Sequence, residues 1–227
     1  MIFSWLIMDY LISRIVYISI LATGTFLGLY RWKRNSTAFR LLTLLISTVL
    51  FLDGGGIIVR ILYVDLTVIV YRIFGPIELA LYTAIFLALL KRKKFRWPII
   101  ITAASIAVFI TVYDISRSDN DRLDTLPILM KCYYYILLSL VIFHEYMAYP
   151  NESNILKEQA FWLISSVLFV NTMVIMYWSC YMLMSTPPPR SLGEAIMITS
   201  NLLYYCAIGF ILNMKPVETL TSADEVS

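Results

Sequence analysis

Four ionisable side chains stand inside two long apolar runs, residues 41 to 90, at depths where a lipid bilayer would contain no water. They are Asp53, Arg60, Arg72 and Glu78. A charge in hydrocarbon is costly, so such residues pair with other polar groups and often serve a function. A carboxyl at this depth must be paired with a cation or protonated. A carboxyl that switches between these states could sense protons or cations, or receive a cationic ligand group.

The composition predicts an integral membrane protein. Hydrophobic residues make up 60% of the 227 residues, charged residues make up 15%, and the mean hydropathy is +0.78. Soluble domains are typically about half apolar and about a quarter charged. The apolar segments leave no room for a kinase, a nuclease or a nucleotide-binding domain. Any output is therefore expected to pass through a partner protein or through transported material, and no nucleic-acid partner is expected.

The apolar segments predict seven transmembrane helices, because one span needs about 20 residues. Seven apolar segments are close to or above that length: residues 7–30, 41–62, 66–90, 97–114, 127–149, 161–184 and 196–214. The expected fold is therefore an all-α membrane protein. One seven-helix transmembrane domain covers residues 1–214, and a short polar cytoplasmic tail covers residues 215–227.

The basic residues predict the orientation of these helices. Cytoplasmic loops collect Lys and Arg, and two basic loops lie at residues 31–40 and 91–96. Both loops are on the same side of a seven-helix chain. The N-terminus is therefore expected outside and the C-terminus in the cytoplasm, in a bacterial inner membrane. The loop 91–96 is interpreted as a topology determinant, with binding to anionic lipid or to an acidic partner as the alternative.

No cofactor or metal site is predicted. Three cysteines, Cys132, Cys180 and Cys206, fall inside apolar segments and are interpreted as small core residues. His144 is the only histidine. The pair His144-Glu145 lies at the inner end of the fifth segment, where a solvated helix end or a docking surface is expected rather than catalysis.

The two buried acids are expected to share one depth. Counted along the helix, Asp53 lies about 18 Å from the cytoplasmic face and Glu78 about 18 Å from the outer face. On consecutive antiparallel segments, the two acids are therefore within about one helical turn of each other in depth. They could therefore face one pocket as ligand-binding or proton-switching groups. Four cations would form a rim towards the outside and could pair with the acids, or could instead extend to lipid headgroups: Arg14, Arg60, Arg72 and Lys131.

Several uncharged residues could also shape a pocket. Tyrosines occur in clusters at 133–135 and 204–205, which are interpreted as packing residues with pocket lining as the alternative. Asn171 and Asn201 are predicted to form interhelical hydrogen bonds. The glycines at 54–56 are expected to allow close helix packing, or else the approach of a ligand or a broken helix.

A short internal match suggests a repeat. Residues 47–53 read STVLFLD and residues 165–171 read SSVLFVN, which aligns Asp53 with Asn171. The same offset aligns Arg72 with Arg190. It would superpose the first three helices on the last three, with the fourth as a linker, which is the parallel-repeat pattern of some small transporters.

The chain also resembles a family of small, mostly uncharacterised seven-helix membrane proteins of Bacteroidota, often encoded near histidine kinases. The similar residues are an acid in the second helix, Asp53, and the pair Ile77-Glu78 in the third. They continue with Phe161-Trp162-Leu163-Ile164, Asn171 and the closing segment NLLYYCAIGF. Family members usually have Glu at the position of Asp53 and a small residue at that of Val170. The resemblance implies a sensory or regulatory membrane component.

Together these patterns favour a membrane receptor or accessory sensor. An unknown small ligand or a proton in an outward-facing polar pocket would bias helix packing, and a histidine kinase or another cytoplasmic signalling protein would read the change. The alternative is a small solute transporter with the 3+1+3 helix architecture. An enzyme is not expected, because no Ser/His, Asp/Asp or metal constellation is present in the sequence.

Overall fold

Every element in the described part of the chain is helical, which confirms the predicted all-α fold. The computed structural model describes the backbone of residues 2–62, 64–116, 125–148, 155–183 and 190–214, and side chains within 15–55, 72–116, 125–148, 155–179 and 199–214. Seven long helices follow one another: α1 Ile2–Tyr30, α2 Thr37–Leu62, α3 Val64–Leu89, α4 Arg96–Ser116, α5 Thr125–Ala148, α6 Gln159–Leu183 and α7 Arg190–Asn213. Short 3₁₀ turns, Lys93–Phe95 and Ile155–Lys157, precede α4 and α6.

Five helices in the described residues are long and apolar enough to cross a membrane. The spans are Thr37–Gly55, Arg72–Leu89, Lys93–Ser116, Thr125–Ala148 and Gln159–Ser179. The apolar part of α1, Ile15–Tyr30, is shorter. A helix satisfies all its backbone hydrogen bonds internally, which hydrocarbon surroundings require. The chain is therefore a multi-pass membrane protein.

Each helix begins before the apolar segment predicted from the sequence. The difference is largest at α7, which begins at Arg190 rather than at residue 196. Hydropathy marks only the apolar part of a helix, whereas the first five residues of α7 include Arg190, Ser191 and Glu194. Polar first turns are normal where a helix leaves the membrane. The number and order of the helices agree with the prediction.

Six of the helices form a closed ring. Helix α1 packs against α2 and α7, α3 packs against α2 and α5, and α6 packs against α5 and α7. Helix α4 lies outside this ring and packs mainly against α3 and α5. The ring therefore consists of two arcs, α1–α2–α3 and α5–α6–α7, with the fourth helix beside one of the two seams between them.

Among the described side chains, an apolar core fills the ring at the end that carries the basic loops. Each ring helix contributes a completely buried side chain there: Leu21, Leu42, Phe86, Ile142, Ile164 and Ile211. Several of these residues lie within a few turns of the basic loops in the sequence. This end of the bundle is therefore closed by packed side chains.

The same end is fixed by side chains that bond to the last carbonyl groups of α7. Nη1 of Arg31 donates to the carbonyl oxygens of Leu212, Asn213 and Met214 at 3.3, 2.7 and 3.0 Å. Gln159 donates to the carbonyl oxygens of Ile211 and Met214 at 2.9 and 3.2 Å. Helix ends leave four carbonyl groups without intrahelical partners, and cations favour that position. Arg31, which the sequence indicated only as a loop charge, thus joins α1 to α7.

The closest packing at a described glycine occurs between α1 and α2, at Gly28. A Cβ atom there would overlap the side chain of Thr43, which is completely buried. By contrast, Cβ atoms on Gly54 and Gly55 would meet no atom within 4 Å. The glycine run after Asp53 was expected to pack closely, and at these two positions it borders open space instead. The reason is helix rotation, because Gly28 faces its neighbour and Gly54 and Gly55 do not.

Gly28→Ala is expected to lower the free energy of unfolding by about 1–3 kcal/mol, because the added methyl group overpacks the contact with Thr43. The double variant Gly28→Ala, Thr43→Gly should regain part of this loss. Gly55→Ala is the matched control, since it adds the same methyl group where there is space. Thermal unfolding of the purified protein in nanodiscs measures all three. Equal effects at Gly28 and Gly55 would contradict the close contact.

Candidate ligand-binding site

An ion pair between α3 and α5 forms the charged centre of the site. Nζ of Lys131 lies 2.6 Å from Oε2 of Glu78, and the side chains are 17% and 26% exposed. Gly75 lies one turn before Glu78 on α3, and a Cβ there would be 3.8 Å from the same ammonium nitrogen. This is an ordinary van der Waals distance, so Gly75 lies directly beside the cation. Lys131 was predicted either to pair with an acid or to extend to lipid headgroups. The structure shows it paired with Glu78.

Helix α3 continues through Pro76, between Gly75 and Glu78. Proline has no N–H to donate, so α3 lacks the backbone hydrogen bond that residue 76 would otherwise form with the preceding turn. The ion pair to Lys131 therefore joins α5 to α3 where the backbone bonding of α3 is weakest. Loss of the pair should loosen α3 more than a similar loss elsewhere.

The ion pair borders a cavity of about 180 Å³. This cavity, called the polar cavity below, lies between α3, α5, α6 and α7. Its lining combines the two charges with two asparagines, four tyrosines and a few apolar residues: Glu78, Lys131, Asn171, Asn201, Tyr82, Tyr135, Tyr204, Tyr205, Ile128, Cys132, Val170 and Val174. Helices α3 and α5 supply the charges, and α6 and α7 supply the amides.

Tyrosine hydroxyl groups frame the polar cavity. The hydroxyl groups of Tyr82 and Tyr204 are hydrogen-bonded to each other and join α3 to α7. The ring of Tyr135 packs on Tyr82 with centroids 4.6 Å apart. The hydroxyl group of Tyr135 is buried and has no hydrogen-bond partner among the described residues. A buried hydroxyl without a partner is unfavourable, so a small shift of the Tyr135 side chain that let a ligand or water bind this group would be favoured.

Asp53 lies outside the described lining of the polar cavity. Its Oδ2 accepts a hydrogen bond of 2.6 Å from the hydroxyl group of Tyr17 on α1. The ring of Tyr17 packs edge-to-face on Tyr205, with centroids 5.5 Å apart, and Tyr205 lines the cavity. The acids were expected to share a pocket because they share a depth. Asp53 instead turns towards α1, so a tyrosine pair connects it to the cavity of Glu78.

The remaining predicted residues are placed as follows. Arg72 is half-buried on α3 and has interaction partners, whereas the side chains of Arg14 and Arg60 lie outside the described residues. Asn171 and Asn201 both line the polar cavity. The amide nitrogen of Asn171 donates to the carbonyl oxygen of Val167 on its own helix at 2.8 Å. This bond is intrahelical, because a side-chain amide can reach the carbonyl four residues earlier, and the interhelical bonds of Asn171 and Asn201 stay a prediction.

The tyrosine clusters divide between two roles. Tyr204, Tyr205 and Tyr135 line the cavity, as the alternative interpretation predicted, whereas Tyr133 is exposed. Tyr17 was not singled out in the sequence, although it is the described partner of Asp53. The sequence did place Tyr17 on the neighbouring helix at a depth near the middle of the membrane. That Tyr17 faces Asp53 depends on the rotation of the two helices, which the sequence does not give.

A second set of charges joins α3 to α5 at the end with the basic loops. The backbone N–H of Lys91 donates to Oε2 of Glu145 at 3.1 Å. Nζ of Lys91 lies 4.3 Å from the ring centre of Tyr146. Burial lowers the pKa of Lys91 below its ordinary value of 10.5, and the carboxylates of Glu158 and Glu145 act in the opposite direction. The contact between Lys91 and Glu145 is called the inner clamp below.

Glu145 corrects the expectation of a solvated helix end. Its side chain is 3% exposed, and Oε1 has no hydrogen-bond partner among the described residues. His144 is exposed, as expected. Neighbouring residues on a helix point about 100° apart, so one side chain faces solvent while the next faces α3.

No metal centre is formed by the described side chains, which contain no group of three His, Cys, Asp or Glu residues that could hold an ion. Cys132 and Cys206 are free thiols, one buried and one exposed.

Comparisons of the chain with protein-family models, with curated proteins and with solved structures found no match. The function is therefore argued from the geometry of the polar cavity and the inner clamp.

Proposed function

We propose that the protein is a seven-span membrane receptor or accessory sensor, with its N-terminus outside and its C-terminus in the cytoplasm of a bacterial inner membrane. The observation that supports it is the polar cavity, whose lining contains an ion pair and a tyrosine with an unsatisfied hydroxyl group. Cavities with a few convergent polar groups are the usual binding sites for small molecules. The packed apolar core towards the basic-loop end favours entry from the opposite, outer side.

The helix pair α3 and α5 provides a route from the cavity to the cytoplasmic face. Glu78 and Lys131 join these helices at the cavity, and Lys91 and Glu145 join them at the inner clamp. The two contacts are 13 or 14 residues apart on each helix, which is about 20 Å. A ligand that changes the contact between Glu78 and Lys131 alters the spacing of α3 and α5. The same two helices are joined at the inner clamp, so the change in spacing reaches it. The cytoplasmic partner, a histidine kinase or a similar signalling protein, would read the basic loop next to Lys91.

Asp53 extends this site through Tyr17 and Tyr205. A ligand that moves Tyr205 would change the hydrogen bond that Asp53 receives from Tyr17. In this arrangement Glu78 binds the ligand, and Asp53 responds to it.

A distance measurement tests the sensor. Spin labels at Lys94→Cys and Met147→Cys, both exposed, report the distance between the basic loop that follows α3 and the end of α5 in nanodiscs. The native cysteines are changed to alanine for this purpose. A ligand found by thermal-shift screening of small polar metabolites should change the label distance. Asp53→Asn should weaken this change, and Glu78→Gln should abolish it. A bound ligand that leaves the distance unaltered would refute the sensor.

A small solute transporter is the second candidate, favoured by the arrangement of the ring. The contacts α1–α2, α2–α3 and α3–α5 correspond to α5–α6, α6–α7 and α7–α1 if the two arcs form a parallel repeat with α4 as the linker. Flux assays in proteoliposomes separate the two functions. Accumulation of the ligand driven by an ion gradient would favour the transporter, whereas binding without flux would favour the sensor.

A further inference from the structure

We infer that the ligand of the polar cavity is a small zwitterion, namely an α-amino acid or a molecule with the same adjacent ammonium and anionic groups. This inference rests on the proposed binding function of the cavity. It adds the chemical class of the ligand, which the charges and hydrogen-bonding groups around Glu78 and Lys131 indicate.

Charge balance favours a ligand without net charge. Glu78 and Lys131 neutralise each other at 2.6 Å. A ligand with one net charge would leave an uncompensated charge inside the bundle, which is strongly unfavourable at membrane depth. A neutral molecule or a zwitterion avoids this penalty.

The unused bonding capacity of the ion pair favours a zwitterion over a neutral molecule. An ammonium group has three donors, and among the described residues Lys131 uses one of them, for Oε2 of Glu78. Oε1 of Glu78 likewise accepts no bond from a described residue. A positive donor and a negative acceptor thus border the same cavity. A ligand carboxylate on Lys131 and a ligand ammonium on Glu78 would form charge-assisted bonds, which are stronger than neutral ones.

The spacing of the two protein charges fits adjacent ligand charges. In an α-amino acid three covalent bonds join the nitrogen to a carboxylate oxygen, so these atoms are about 3 Å apart. The protein pair is 2.6 Å long. The ligand can therefore lie beside the pair with its charges reversed, and each charge then faces an opposite one. A zwitterion with a long spacer would satisfy only one end.

The rest of the polar cavity fits a small side chain and further hydrogen bonds. A cavity of about 150 Å³ holds one benzene molecule, and this one is about 180 Å³. The hydroxyl group of Tyr135 and the amide of Asn201 could bond the ligand carboxylate or ammonium. Val170 and Val174 offer an apolar surface to the ligand side chain.

A matched set of probes tests the class of ligand. Binding of L-alanine to the protein in nanodiscs of phosphatidylcholine and phosphatidylglycerol is compared with binding of alanine amide, N-acetylalanine and N-acetylalanine amide. These carry both charges, the cation alone, the anion alone and neither charge. L-Alanine should bind at least about tenfold more tightly than the others, the factor expected for one charge-assisted bond. Equal or tighter binding of any single-charge or neutral probe would overturn the inference.

Variants of the ion pair should reverse the preference. Glu78→Gln leaves Lys131 as the only charge and should prefer N-acetylalanine, and Lys131→Gln should prefer alanine amide. A fold that is lost in one variant is seen by thermal unfolding, and the other variant then carries the test. An unchanged order of probes in a folded variant would contradict the inference.

Two further measurements separate the source of the ligand and the two proposals. In phosphatidylethanolamine two carbons and an ester oxygen separate the ammonium from the phosphate, a longer spacing than in an α-amino acid, so its addition to the nanodiscs should leave L-alanine bound. Displacement of L-alanine would show that a lipid headgroup is the ligand and would contradict the short spacing. L-Alanine that binds without changing the label distance at α3 and α5 would refute the sensor and leave the ligand class intact. A neutral ligand that binds in the cavity and changes the label distance would support the sensor and refute the zwitterion as the ligand class.

Discussion

Glu78→Gln and Lys131→Met, made singly, are each expected to lower the free energy of unfolding by about 1–3 kcal/mol. Each substitution leaves one charge inside the bundle without its partner, and removal of one member of a buried pair costs about 3–5 kcal/mol. We expect about 1–3 kcal/mol and not the full cost because the side chains of Glu78 and Lys131 are 26% and 17% exposed. Water can therefore still stabilise the charge that remains. The loss should be visible as a lower unfolding temperature in nanodiscs.

The double variant Glu78→Gln, Lys131→Met should recover most of the stability, since it contains no isolated charge. A double-mutant cycle then gives a coupling free energy of about 1 kcal/mol or more. Lys93→Gln is the matched control, because Lys93 is an exposed cation near the basic-loop end of α3, and its effect should stay within about 0.5 kcal/mol. Additive effects of the two single substitutions would show that the ion pair does not hold α3 to α5.

Glu145→Ala is expected to lower the free energy of unfolding by about 2–4 kcal/mol and to uncouple the cavity from the end of the bundle that carries the basic loops. The substitution leaves the N–H of Lys91 without its acceptor and opens a gap at a side chain that is 3% exposed. Loss of one partner of a buried hydrogen bond costs about 1–3 kcal/mol, and the gap adds to this. His144→Ala, one residue earlier and exposed, is the control and should have little effect.

Glu145→Gln distinguishes the hydrogen bond of the inner clamp from its charge. The glutamine oxygen can still accept the N–H of Lys91, so the stability should be close to that of the wild type if the hydrogen bond dominates. In both variants thermal-shift binding at the cavity should persist. The label distance between Lys94 and Met147 should stop responding to ligand in Glu145→Ala. A normal response in that variant would remove the inner clamp from the signalling route.

The position of the charged residues along each helix was predictable, but their partners were not. The depth of Glu78 and Lys131 follows from counting residues, and both were identified as candidates. That Lys131 pairs with Glu78, while Asp53 pairs with Tyr17, depends on the rotation of each helix and on the order of helices around the ring. Rotation is set by packing of many apolar side chains, such as Phe86 and Ile142, and no short pattern reports it.

The same reason explains the two corrections at the helix ends. Arg31 and Glu145 were counted as polar residues at membrane faces, which is where hydropathy places them. Their structural role comes from a second helix: Arg31 bonds the end of α7, and Glu145 bonds the end of α3. Unsatisfied backbone groups at a helix end attract nearby polar side chains, and which side chain is near is a property of the assembled bundle.

By itself the sequence determined the helical class, the number and order of the long helices, and the depths at which charges occur, because these depend on hydropathy summed along the chain. The tertiary structure decided which of those charges meet. In it six helices form a ring, Glu78 and Lys131 line one cavity, and Asp53 faces α1. These outcomes depend on contacts between residues far apart in sequence, where shape complementarity of the packed helices selects one arrangement among many of similar hydropathy.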